Sequence, residues 1–330
     1  MKISVLGSGG WGIALAMAAN RNNHDVLLWS LFEEEICELK KERESKRLLE
    51  GVKISEEIKL TSNILDAENS DIVIVAVPSV AVRKIANMVA QLKNIGIVVN
   101  VAKGLEEGSL KRLSEVIEEE VNAPVVVLSG PSHAEEVARS IPTSLVSSSH
   151  NMSATEKVIE AFSSASLRIY NNDDLVGVEL GGALKNVIAV AAGFCDGMGL
   201  GDNTKAALIT RGLTEIARLG VKMGAKERTF AGLTGLGDLI VTCTSKHSRN
   251  HRFGEMVGKG VDVKKALSEV GTVEGYYATK FAYLLAEKVG AEMPIISQCY
   301  KVLYEGTSVM DTVKNLMLRP SKNEYENLWI

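Results

Sequence analysis

The chain has 330 residues, 46% of them hydrophobic and 24% charged, and carries a formal net charge of −4. That length suits two domains, and the composition is that of an ordinary globular protein. The charge gives no general pull toward nucleic acid or an anionic membrane surface, so any bound anion must be held by a local cluster. The four cysteines, Cys37, Cys195, Cys243 and Cys299, form no C-x-x-C pair, which excludes a zinc ribbon or a disulfide framework as an expectation. The start of the chain lacks a basic n-region and cleavage site, and no apolar run looks long enough to span a membrane. A cytoplasmic location is therefore expected.

Residues 3–6 form a short apolar run of the kind that becomes a buried strand, and residues 13–19 continue as an apolar, helix-compatible segment. Between them Gly7, Gly9 and Gly12 fall at G-x-G-x-x-G spacing. In a strand–turn–helix context this order has a mechanism. The first glycine turns the chain, the second lets a pyrophosphate approach the backbone, and the third lets helix and sheet pack closely. A dinucleotide site is expected there. Further β-rich runs follow at 25–29, 71–77, 97–104, 124–131, 143–147 and 167–170, separated by helical stretches. Near-continuous apolar strands of this kind belong in a parallel sheet covered on both faces. The segment 32–50 mixes Glu, Lys and Arg and reads as a solvated helix face.

Lys103 and Gly104 follow one of these strands, and Gly130-Pro131-Ser132-His133-Ala134-Glu135 follows another. Ligands gather at the carboxyl ends of strands in open α/β sheets. Ser132 and Glu135 also have the spacing of a capping box that would open a helix.

Beyond about Asp173 the strand signal fades, and 176–194, 205–224, 263–271 and 278–290 suit helices with broad apolar faces. Lys185 lies inside the first of these, after Gly181-Gly182-Ala183-Leu184 and before Asn186. A buried lysine either pairs with a carboxylate, Glu179 or Asp238 being candidates, or serves as a general acid–base group. Asp238 is the single charge in the run 231–243. It could orient that lysine, accept a bond from a substrate hydroxyl, or cap a helix beginning at Leu239. Lys246, Arg249 and Arg252 then crowd one short segment, where Arg249 and Asn250 could hold a phosphate or simply line a solvated loop. His247 and His251 are four apart without the H-E-x-x-H pattern, and no metal site is expected. The fold class expected is α/β: a Rossmann-type dinucleotide-binding domain over 1–172, then an all-helical substrate domain over 173–330.

The motifs LGSGGWG, VAKGLE, LSGPSHAEEV, VELGGALKN, DNTKAALITRGL, GLTGLGDLIVTCTS, HSRN and VEG occur in this order across nearly the whole chain. In this the chain closely resembles the bacterial NAD(P)-dependent glycerol-3-phosphate dehydrogenases. The resemblance implies reversible NAD(P)H-dependent reduction of dihydroxyacetone phosphate to sn-glycerol 3-phosphate, the backbone for glycerophospholipids. It makes Lys185 the proton-transfer lysine, with Asn186 beside it, and Lys103 a contact to both cofactor and substrate. Gly130, Ser132, Asp238 and Thr242 become substrate-site residues, and Ser248, Arg249 and Asn250 the phosphate-holding group. Gly7, Gly9, Gly10, Trp11, Gly12, Ser30, Ala134, Arg249, Val273 and Glu274 become cofactor contacts. A homodimer is a family-level expectation, with no nucleic-acid or membrane partner. The cofactor is NAD or NADP. The second strand ends Trp29-Ser30-Leu31-Phe32 with no acid before Glu33, and with neither the His nor the Arg that many family members carry there. Gly10 also stands where a serine is common, and Thr272 where a valine is usual. A dehydrogenase for another hydroxy acid is the principal rival, and a non-catalytic dinucleotide binder a more distant one.

Overall fold

The computed structural model describes residues 1–245, 247–321, 323 and 324. Lys246, grouped above with the basic segment, lies outside the described residues. The chain divides into two compact units, the first comprising Met1–Glu106 and Lys111–Leu175, the second Glu107–Leu110 and the described chain from Val176 onward.

The first unit runs β1 (Lys2–Leu6), α1 (Gly10–Arg21), β2 (Asp25–Trp29), α2 (Glu33–Glu42), β3 (Lys59–Thr61), β4 (Ile72–Val75), α3 (Val82–Val89) and β5 (Ile97–Asn100). It continues with α4 (Leu113–Glu120), β6 (Val125–Ser129), α5 (Ala134–Ala138), β7 (Thr143–Ser148), α6 (Met152–Phe162) and β8 (Leu167–Asn171). The strands form one eight-stranded sheet in the order β3-β2-β1-β4-β5-β6-β7-β8. From β3 to β6 every pairing is parallel, as in β1 on β4, where Val5 sits opposite Ile74. Both faces are covered, as the unbroken apolar strands require. Ile3, Val5, Leu28 and Ile74 meet Ile13, Leu15, Val137, Val158 and Phe162 on one side. Leu6, Val73, Val75 and Val98 meet Val82, Ile85, Val116 and Ile117 on the other.

Two features depart from the sequence expectation. β7 lies antiparallel to β6, with Leu128 opposite Ser147, and β8 follows β7 in parallel. Between β6 and β7 the chain makes only a five-residue helix, so it turns back from the sheet edge it has just reached. β3 was not expected at all: three residues, Lys-Leu-Thr, are too few to display a period.

The second unit is helical: α7 (Leu175–Gly197), α8 (Asp202–Lys222), α9 (Glu227–Phe230), α10 (Asp238–Thr244), α11 (Arg249–Gly258), α12 (Val263–Val270), α13 (Glu274–Val289), α14 (Pro294–Glu305) and α15 (Val309–Met317). α7 corrects one sequence reading. With 23 residues and a mean hydropathy of 1.5 over its most apolar stretch, it is long and apolar enough to cross a membrane by composition. The interspersed Glu179 and Lys185 hide that in a search for unbroken apolar runs. In the structure 94% of that stretch is buried, and α7 is the core helix of its unit.

Candidate active site

Gly7 ends β1 with φ at +125°, a region open to glycine and little else. A Cβ on Gly12 would collide with the Gly7 carbonyl oxygen, so that glycine serves packing. Gly9 is different. A Cβ there would meet no protein atom within 4 Å, so its bare backbone faces open space in front of α1, where a pyrophosphate can approach the helix N-terminus. Gly10 sits against Ala134 at the start of α5, with Leu48 beside it. Trp11, partly buried, packs on the adjoining core. The first-unit residues expected to hold a dinucleotide thus fit one, with Ser30 at the end of β2.

One residue bonded to this group is not evident in the sequence. Glu35, in the first turn of α2, accepts hydrogen bonds from Ser8 Oγ at 2.5 Å and from Ser30 Oγ at 2.6 Å. It stands six residues past the end of β2, beyond the place where an acid is normally sought. The signal available was the run Glu33-Glu34-Glu35 opening a helix.

Lys103, just beyond β5, donates from Nζ to the Gly130 carbonyl at 2.9 Å and to Ser132 Oγ at 3.4 Å. Ser132 in turn donates to the same carbonyl at 3.0 Å. β5 and β6 are parallel neighbours, which brings these two strand ends together. The expected capping box does not form: α5 opens at Ala134 behind His133, and the Ser132 hydroxyl is engaged with Gly130 instead.

In the second unit, Lys185 on α7 is 5% exposed and Asp238 on α10 is 1% exposed. Lys185 Nζ forms an ion pair with Asp238 Oδ1 and donates to Thr242 Oγ1 at 2.6 Å. Thr242 donates to the Asp238 carbonyl at 2.6 Å, closing the group within one turn of α10. Asp238, one of the carboxylates considered for Lys185, is bonded to Nζ. The helix-capping role considered for Asp238 is not observed. α10 begins at Asp238 itself, behind Gly237, and the side chain points to the lysine. A π-helical turn, Leu233–Gly237, delivers Asp238 to that place. It can approach α7 only because position 181 is glycine, where a Cβ would lie 2.6 Å from the Thr234 carbonyl oxygen.

Asn186, next to Lys185, starts a second chain of contacts. Asn250 Nδ2 donates to Asn186 Oδ1 at 2.9 Å, and Asn250 Oδ1 accepts from the Gly275 N–H at 2.8 Å. The Asn250 amide is thereby fixed between α7 and the first turn of α13, beside Glu274 and the fully buried Val273. Ser248 caps α11 by accepting from the His251 N–H at 3.2 Å, and Arg249, exposed, is the first helical residue. His251 is bonded to Asp196 at 2.8 Å, and Lys205 pairs with the same carboxylate at 2.6 Å. Burial alone would raise the Asp196 pKa, but the bonds from Lys205 and His251 outweigh it and leave it lowered. Burial pushes the Cys243 thiol up to about 12 and Cys195 up to about 11, so neither supplies a thiolate near neutral pH.

The chain matches the family model for the NAD-dependent glycerol-3-phosphate dehydrogenase N-terminus over residues 2–155 and that for the C-terminus over residues 174–314. A glycerol-3-phosphate dehydrogenase [NAD(P)+] of Fusobacterium nucleatum is 50% identical, the match covering 99% of each chain. One from Thermoanaerobacter sp. is 51% identical, covering 99% of this chain and 100% of the other. The crystal structure of glycerol-3-phosphate dehydrogenase from Coxiella burnetii superposes with a TM-score of 0.92 at 39% identity, covering 96% of this chain and 99% of that one. A ketopantoate reductase from Ralstonia eutropha, 13% identical with a TM-score of 0.64, shares the fold alone; the match covers 95% of this chain and 100% of that one.

Proposed function

The chain belongs to the NAD-dependent glycerol-3-phosphate dehydrogenase family, and from that premise we propose that it interconverts dihydroxyacetone phosphate and sn-glycerol 3-phosphate, with Lys185 moving the proton at the C2 oxygen. The observation that carries this assignment is the buried ion pair of Lys185 with Asp238. A bound NAD(H) or NADP(H) supplies the hydride to C2, or takes it away. Lys185 does the complementary proton work. In reduction its ammonium gives a proton to the carbonyl oxygen, which becomes the C2 hydroxyl; in oxidation the neutral amine receives that proton. Asp238 favours the charged form of the lysine and, with Thr242, holds Nζ in one place.

Arg249 and Asn250 anchor the substrate phosphate. The arginine contributes charge and paired N–H groups, and the asparagine contributes an amide already oriented by Asn186 and Gly275. Holding that remote dianion raises the fraction of bound substrate with C2 aligned for reaction. Ser248 supports this group through the cap on α11. Lys103, Gly130 and Ser132 serve substrate and cofactor together, and Gly7 to Gly12 with Ala134 serve the pyrophosphate. Val273 and Glu274 complete the cofactor contacts. The substrate-handling domain is the helical one. The enzyme works in the cytoplasm, where four unpaired cysteines suit a reducing compartment. It has no nucleic-acid or membrane partner, and its product enters glycerophospholipid synthesis.

Lys185→Ala tests the assignment. Turnover of dihydroxyacetone phosphate is expected to fall by about 10²-fold or more, while the dissociation constant for NADH stays within about twofold. Near-normal turnover by a folded variant removes Lys185 from the proton-transfer role.

A further inference from the structure

We infer that Glu35 selects the dinucleotide with a free 2′-hydroxyl on its adenosine ribose over the 2′-phosphorylated one, so that the protein favours NAD(H) over NADP(H). The inference rests on the reading of the Gly7–Gly12 turn as a dinucleotide site. Ser8, inside that turn, is 5% exposed, and Ser30, at the end of β2, is 3% exposed. Both hydroxyls donate to one oxygen, Oε2, of the Glu35 carboxylate. The Phe32 N–H donates to Ser30 Oγ at 3.3 Å, so the glycine turn, the end of β2 and the first turn of α2 are bound together. In a Rossmann arrangement the adenosine ribose lies between the first glycine turn and the end of the second strand.

An ionised carboxylate only accepts hydrogen bonds. Oε2 takes two from serine, and Oε1 takes none among the described residues, which leaves an acceptor at the ribose for a 2′-hydroxyl to donate to. A 2′-phosphate near neutral pH brings acceptors and negative charge to the same place, and both are unfavourable against Glu35. No offsetting cation is at hand in this stretch of sequence. Residues 30–39 contain no Lys, Arg or His, and Glu33 and Glu34 add charge in the same helical turn. The basic residues of α2, Lys40 and Lys41, lie in its last turn. The positive end of the α2 dipole, which could otherwise attract a phosphate, is already facing three carboxylates.

Titrating the purified full-length protein with NADH and with NADPH, without substrate, and following nicotinamide fluorescence tests this directly. The wild type is expected to bind NADH at least about tenfold more tightly, a ratio that narrows as salt is raised. Glu35→Gln, which keeps an oxygen for the serines and removes the charge, is expected to narrow the ratio by tightening NADPH. Leu31→Arg, at an exposed position 45% accessible, adds a cation without touching the Ser8–Glu35–Ser30 bonds and is expected to tighten NADPH binding further. Thermal melts establish that each variant is folded. NADPH bound as tightly as NADH by the wild type, or a ratio unmoved in folded Glu35→Gln, overturns the selection by Glu35. Binding of neither nucleotide overturns the dinucleotide site and this inference with it.

Discussion

Arg249 is exposed and, among the described residues, is in no ion pair. Asn250, one position on, is fastened at both ends of its amide. The two therefore differ in what their loss should do. On the proposed function, Arg249→Ala removes a charge whose partner is the substrate phosphate. It is expected to raise the KM for dihydroxyacetone phosphate by about 10- to 100-fold, the range for a charged hydrogen bond, and to leave the melting temperature unchanged. An unaltered KM would take Arg249 out of the phosphate site. The pairing of Lys185 with Asp238 was legible in the sequence as a possibility, because both are charges set in apolar runs. Glu35 was not: nothing in three consecutive glutamates shows that the third turns back to two serines from different segments.

At the scale of elements, the candidate proton-transfer group depends on how closely the π-helical turn Leu233–Gly237 approaches α7. Gly181→Ala places a methyl group against the Thr234 carbonyl, whose backbone must give way. The expected cost is about 1–3 kcal/mol of stability, measured by chemical denaturation, together with a fall in kcat as Asp238 is displaced. NADH affinity should be unaffected, and an unchanged kcat would show that the approach is not required. Glu215 on α8 poses a different constraint. Its carboxylate accepts the Ile295 and Ile296 N–H groups at 2.7 and 3.2 Å, so it caps α14 from another helix. Burial raises its pKa to about 7 from an ordinary 4.5, against the lowering effect of those two N–H groups. The folded state therefore holds this proton more firmly than the unfolded one. The stabilisation is fully present below about pH 4.5 and is lost as pH rises to about 7, a span worth roughly 3 kcal/mol. Glu215→Gln cannot titrate. The melting temperature of the wild type relative to this variant is expected to fall between pH 5 and pH 8, and a constant difference would contradict the shift. No sequence pattern announces such a contact, since the partners are 80 positions apart.

At the scale of the whole molecule, the sheet followed by helices was readable from periodicity, since strands buried on both faces are apolar throughout and core helices nearly so. The reversal at β7 was not, because strand direction depends on where the connection runs and β7 has the same composition either way. The fold by itself does not choose the reaction, as the likeness to a ketopantoate reductase makes plain. The proposed choice assigns a phosphorylated three-carbon ketone to Lys185, Asp238, Arg249 and Asn250. Initial rates of NADH oxidation by the purified protein, with dihydroxyacetone phosphate in one reaction and an unphosphorylated 2-oxo acid in another, test that choice most directly. Oxidation is expected to depend on dihydroxyacetone phosphate and to stay at background with the 2-oxo acid. Oxidation with the 2-oxo acid alone, or none with either from folded protein that binds NADH, would contradict that choice.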